Sequence, residues 1–121
     1  MRTVIIIQAR LGSTRLPCKS LLTLRGLPLI DWVVHRCCRS ALADEVVVAI
    51  PDGPDDDVLA DHLHGRVHIH RGPEQDVLAR MRDAARRYGA EAVVRVCADN
   101  PLIWGGEIDN LIRFYSANTC D

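Results

Sequence analysis

Four short apolar runs constrain this chain more than any other feature, because a fold must bury all of them together. They occupy residues 3–9, 45–50, 66–70 and 91–98. Three of them, VIIIQA, VVVAI and AVVRVCA, are β-branched and nearly continuous, as expected of strands covered on both faces. The fourth, RVHIHR, alternates, with Val67 and Ile69 facing one way and His68 and His70 the other. Alternation fits a strand with one wetter face, at the edge of a sheet. Helical patterns separate the runs. Ile30, Val33, Val34, Cys37 and Cys38 recur at spacings of three and four within 30–43, and Val58, Leu59 and Leu63 make a shorter stripe within 55–64. Val77, Leu78, Met81, Ala84, Ala85 and Tyr88 line one face of 74–88, with Gly89 placed to end that helix. A last helix is expected at about 106–117. The order β-α-β-α-β-α-β-α predicts a doubly wound, mostly parallel α/β sheet with helices on both faces, joined by right-handed crossovers.

A length of 121 residues suits one domain with a real core. The formal net charge of -1 supplies no overall basic field, so nucleic acid is not an expected partner. No run approaches the length needed to span a bilayer, and the opening apolar stretch is too short for a signal-peptide core, which makes the cytoplasm the expected compartment. The five cysteines, two of them adjacent (Cys37 and Cys38), form no C-x-x-C pair. Reduced thiols packed as small hydrophobes are expected, not a disulfide framework or zinc knuckle.

The first strand runs directly into QARLGSTRLPCKS, which sets Arg10, Arg15 and Lys19 within ten residues around Gly12, Ser13 and Thr14. Like charges this dense are either a solvated loop or an anion site, and doubly wound sheets bind ligands beyond the carboxyl ends of their strands. Neither common phosphate loop fits. Lys19-Ser20 follows Cys18 where a P-loop needs Gly, Gly12 stands one position too early, and no G-x-G-x-x-G is present. Pro17 would also interrupt a helix begun straight after the strand. What remains is a longer, irregular loop that wraps an anion with side chains as well as backbone N–H groups.

Four segments in order resemble the sugar-acid cytidylyltransferases, the family of the acylneuraminate and 3-deoxy-manno-octulosonate enzymes and of the SpsF-type spore-coat polysaccharide proteins. They are QARLGSTRLPCK, Gly26-Leu27-Pro28-Leu29-Ile30, GPEQDVLAR from Gly72 to Arg80, and VRVCADNPLI ending a strand in D-x-P-L-I. The resemblance implies that the first loop holds the triphosphate of CTP. Arg10, Arg15 and Lys19 would contact phosphate oxygens, and Gly12, Ser13 and loop N–H groups would complete the cradle. Gly72, Asp76 and Arg80 would lie by the nucleoside, and Asp99 would bind Mg²⁺. The reaction implied is attack of a sugar-acid hydroxyl on the α-phosphate of CTP with release of pyrophosphate. Two alternatives stay open: a non-catalytic nucleotide- or partner-binding remnant, and another nucleotidyltransferase or glycosyltransferase-like domain on the same fold.

Two departures accompany the resemblance. Cys18 stands where the family usually has Gly, which would strain or reshape the loop if that position needs a positive φ. Family members also continue for about the same length again, completing the sheet and supplying the sugar-acid pocket, a second metal carboxylate and much of the dimer contact. On that basis residues 1–121 are expected to be a single nucleotide-binding α/β domain or half-domain. An open sheet edge and an uncovered apolar face should then remain, favouring a homodimer or other self-association. Several residues have plainer explanations. Asp99 would otherwise cap the turn before Pro101. Arg95 would pair with a buried carboxylate or point into the cleft. Asp55-Asp56-Asp57 would be charge favoured at a helix N-terminus. His62/His64 and His68/His70 have zinc-like spacing but read as surface histidines, and Cys18 as an inert thiol.

Overall fold

A computed structural model describes residues 1–12 and 18–118. Strands β1 (Thr3–Gln8), β4 (Glu45–Pro51), β5 (His68–Gly72) and β6 (Ala92–Cys97) form a wholly parallel sheet in the order β5-β4-β1-β6. A two-stranded antiparallel hairpin, β2 (Thr23–Leu24) and β3 (Leu27–Pro28), lies between β1 and helix α1 (Leu29–Cys37). Helices α2 (Asp57–Leu63), α3 (Val77–Arg87) and α4 (Gly105–Ala117) complete the elements. The fold is the doubly wound α/β sheet that the alternating patterns predict, with RVHIHR supplying the edge strand β5.

Side chains alternate faces along a strand, so each central strand feeds two cores. Ile5, Ile7, Val48 and Ile50 pack with Ile30, Val33, Cys37, Leu59, Leu63, Ile108 and Ile112, under α1, α2 and α4. Val4, Ile6, Val47 and Ala49 pack with Met81 and Ala84, under α3. The sheet is therefore covered by α1, α2 and α4 on one face and by α3 on the other.

Strand β6 departs from the expectation that its run is covered on both faces. Val94 and Val96 join the core beneath α4. Val93, Arg95 and Cys97 are exposed, because β6 is the second edge of the sheet and α3 does not reach across it. A cleft of about 460 Å³, lined among others by Leu78, Met81, Val93 and Arg95, separates the two elements. Leu78 is 80% and Val93 44% exposed there, an apolar face left open beside an edge strand. Arg95 donates to Oε1 of Gln8 through Nε (3.2 Å) and Nη2 (2.6 Å), so its partner is an amide and not the expected buried carboxylate.

Helix α1 stops at Cys37 instead of continuing to residue 43. Asp109 of α4, itself buried, takes the backbone N–H groups of Ala41 (3.0 Å) and Leu42 (3.1 Å) and the Ser40 hydroxyl (2.5 Å). Those N–H groups are satisfied in a turn and have no need of the helix. The Ser40 hydrogen bond and the two backbone bonds outweigh burial and hold the Asp109 carboxyl below its ordinary value. Burial pushes the Cys37 thiol up to about 12, in keeping with a packed, inert residue.

Candidate functional site

The order of strands creates the site. The chain steps outward from β1 to β4 to β5, then α3 carries it back so that β6 pairs with the opposite side of β1. The strand order therefore reverses between β1 and β6, and ligands of doubly wound sheets bind in the crevice at such a switch point. The crevice here has a volume of about 210 Å³ and is lined by Gln8, Ala9, Arg10, Lys19, Ser20, Cys97, Ala98 and Asp99. The pairing Gln8↔Cys97 and the bond from Ala98 N–H to Gln8 C=O (3.1 Å) keep its two strand ends side by side.

Of the expected site residues, Arg10, Lys19 and Asp99 are brought together on this crevice, with Lys19 Nζ 3.7 Å from Asp99 Oδ2. Both partners are partly exposed, so the pair is screened and free to exchange for a ligand. In the turn at Pro101, Asn100 Oδ1 accepts from Leu102 N–H at 3.3 Å. Ser13 and Arg15 lie outside the described residues. Gly12 is exposed at the end of the described loop. Lys19 reaches the crevice from a short 3-10 turn over Lys19–Leu21, and the residue before it, Cys18, has φ 57° and ψ 26°. The position does require the left-handed backbone, as the family glycine suggests, and the loop is closed across it by Cys18 N–H donating to Leu11 C=O (3.0 Å).

Gly72, Asp76 and Arg80 sit to one side of this crevice and form a single device. Asp76 caps α3 by accepting from Ala79 N–H (2.9 Å). Arg80, one turn on, is 0% exposed and presents no surface of its own. Gly72 makes room for it: a Cβ on Gly72 would lie 3.1 Å from Arg80 Cγ and 3.4 Å from its Cα. The Arg80 guanidinium donates from Nη1 to Pro73 C=O (3.2 Å), while Nε and Nη2 are buried without acceptors among the described residues. Burial lowers the guanidinium pKa and nearby Asp56 opposes that shift.

Asp56, expected only as charge at a helix N-terminus, has a different role. It is 1% exposed, and its Oδ1 accepts from Leu11 N–H at 2.7 Å, which ties the loop after β1 to the turn before α2. In sequence it is the middle of three aspartates, and nothing in DDD distinguishes the buried one from its solvated neighbours. Among the described residues no three His, Cys, Asp or Glu side chains cluster to hold a metal ion. His68 instead contacts Glu45 (3.2 Å), and His62 contacts Asp31 (2.9 Å).

Fold and crevice together define a doubly wound α/β protein with a charged crevice at the strand switch point. The cytidylyltransferase family model matches residues 4–120, and the chain belongs to that family. It is 38% identical to a 3-deoxy-manno-octulosonate cytidylyltransferase of Geobacter sulfurreducens over 121 residues, covering 98% of this chain and 47% of that protein. It is 36% identical to the spore coat polysaccharide biosynthesis protein SpsF of Bacillus subtilis over 113 residues, covering 89% of this chain and 47% of the relative. The structure of CMP:2-keto-3-deoxy-manno-octonic acid synthetase complexed with CTP superposes with a TM-score of 0.81 at 27% identity, covering 98% of this chain and 48% of that one. The chain thus spans about half the length of the relatives it matches. Among the described residues no helix is long and apolar enough to cross a membrane.

Proposed function

We propose that this chain is the nucleotide-binding half of a cytoplasmic cytidylyltransferase for polysaccharide biosynthesis, and that the crevice between β1 and β6 takes CTP with Mg²⁺. The observation carrying this is the convergence of Arg10, Lys19 and Asp99 on the switch-point crevice in a chain of the cytidylyltransferase family. Arg10 and Lys19 bind phosphate oxygens, joined by Arg15, Ser13 and the backbone at Gly12 from the same loop. Charge-assisted bonds of this kind contribute about 1.5–3 kcal/mol each before non-additivity. The Gly72–Asp76–Arg80 segment supports the nucleoside end.

Asp99 suits Mg²⁺, which binds through one or two carboxylates plus substrate phosphates and keeps several waters; its carboxylate is exposed and held by a lysine that a phosphate can also engage. Bound there, the ion would neutralise charge developing on the phosphates. In the transfer, a sugar-acid hydroxyl forms a bond to the α-phosphorus as the bond to the bridging oxygen breaks. Pyrophosphate leaves, and the hydroxyl proton passes to solvent. Arg10 and Lys19 orient the triphosphate for in-line attack.

Half-length coverage and the open β6 edge favour an acceptor site completed by further polypeptide. Orientation of the acceptor accounts for roughly 7–11 kcal/mol of barrier lowering, so the 121 residues alone are expected to bind CTP without useful turnover. Pyrophosphate release from CTP with a panel of sugar acids tests this. Robust turnover by these 121 residues as a clean monomer would overturn the half-enzyme assignment.

A further inference from the structure

Gln8 ends β1 on the wall of the crevice, and Arg95 of β6 holds it there without lining the crevice itself. In the parallel pairing Gln8 stands opposite Cys97, two residues beyond Arg95, so both side chains leave the sheet on the same face. Arg95 Nε and Nη2 donate to the single atom Gln8 Oε1, at 3.2 and 2.6 Å. Arg95 pairs with no carboxylate among the described residues. A guanidinium has only donors, so the amide end that faces it is the oxygen. The other end, Nε2 with its two N–H groups, is turned away from Arg95 and meets no acceptor among the described residues.

An exposed arginine reaching for any nearby acceptor accounts for the bond but not for the acceptor being an amide. A carboxylate would bind the guanidinium more strongly. At position 8, however, it would set a negative charge on the crevice that also holds Arg10 and Lys19. The amide accepts from Arg95 at one end and keeps two donors at the other. We infer that Gln8 is a further anion-binding residue of the crevice, donating from Nε2 to a phosphate oxygen of the ligand, and that Arg95 is the positioning residue that fixes its amide in that orientation. The inference deepens the proposed phosphate site and rests on that reading. Without Arg95 the amide is free to turn, and its carbonyl end, which an anion repels, then faces the crevice part of the time.

Calorimetry with inorganic triphosphate and with CTP, each with Mg²⁺, tests it on wild type, Gln8→Met, Gln8→Glu, Arg95→Met and the double variant Gln8→Met/Arg95→Met. Salt at about 0.15 M screens the bare charge of Arg95 beyond roughly 8 Å. Gln8→Met is expected to weaken both ligands about tenfold, the scale of one hydrogen bond to a charged group. Gln8→Glu should bind more weakly still, while its thermal midpoint stays at or above wild type because the pair with Arg95 is now charged. Arg95→Met should lose about threefold to tenfold in affinity, and nothing further in the Gln8→Met background. The inference is overturned if Gln8→Met or Gln8→Glu binds triphosphate as wild type does, if the loss is confined to CTP, or if the two substitutions add independently. Exchange of the Arg95 Nε–H, followed by NMR, tests the pair without ligand: it should quicken in Gln8→Met, and an unchanged rate would remove the positioning role. Wild-type protein that binds neither anion would remove the proposed function together with this inference, whereas equal binding by wild type and Gln8→Met would remove this inference alone.

Discussion

Cys18→Gly should make this protein more stable, an uncommon direction for a single substitution. Cys18 holds φ 57° and ψ 26°, where an L-residue suffers a clash between its Cβ and the following carbonyl oxygen. That clash costs about 1–2 kcal/mol. Glycine removes it and adds freedom to the unfolded chain, which offsets about 0.5–1 kcal/mol. The thiol is exposed, so its loss forfeits little burial, and the two backbone bonds at this residue, to Leu11 C=O and from Leu21 N–H, survive the change. A net gain of about 0.5–1 kcal/mol raises the unfolding midpoint by about 2–5 °C for a chain of this length. Thermal unfolding of wild type, Cys18→Gly and Cys18→Ala measures it. Alanine keeps the Cβ and the strain, so it should gain nothing. A Cys18→Gly midpoint at or below wild type would refute the reasoning, as would an equal gain from Cys18→Ala.

Asp109→Ala should destabilise the fold by about 2–4 kcal/mol, because it leaves two N–H groups and a hydroxyl without their acceptor. The Asp109 pKa is depressed in the folded chain, so its contribution is complete above the ordinary value of 3.8 and is lost as pH falls from there through the lower folded value. Denaturant titrations down the acid limb should therefore show wild type and Asp109→Ala converging. Val93→Lys should reduce concentration-dependent self-association in sedimentation velocity, since it sets a charge on the open face of an edge strand. Equal association by both proteins would remove β6 as the sticky edge.

The sheet was legible because each strand announces itself through what covers it. Continuous β-branched runs read as strands between two layers, and 66–71 alternates because it becomes an edge. The same logic misjudged β6: its run reads as doubly covered, yet Val93 and Arg95 face a cleft that α3 leaves open. The β2–β3 hairpin was invisible because two-residue strands carry no alternation, and its turn runs through Arg25 (φ 52°) before Gly26 (φ 78°) instead of a recognised Asn-Gly pair. The end of α1 is set by Asp109, nearly seventy residues away, so no local pattern announces it. At the site, the cations and Asp99 stood out as residues at strand ends. Their convergence depends on β6 pairing with β1, which chain order alone does not dictate. Asp56 remained hidden because burial, not residue type, makes it different from Asp55 and Asp57.

Calorimetric titration of CTP, with and without Mg²⁺, into wild type, Lys19→Ala and Asp99→Asn tests the central claim most directly. Saturable one-to-one binding to wild type is expected, weakened about tenfold to a hundredfold by Lys19→Ala, the scale of one charge-assisted hydrogen bond. Asp99→Asn should abolish the gain from Mg²⁺ and leave metal-free binding in place. Affinity that is absent in wild type, or equal in all three proteins, would contradict a CTP site between β1 and β6.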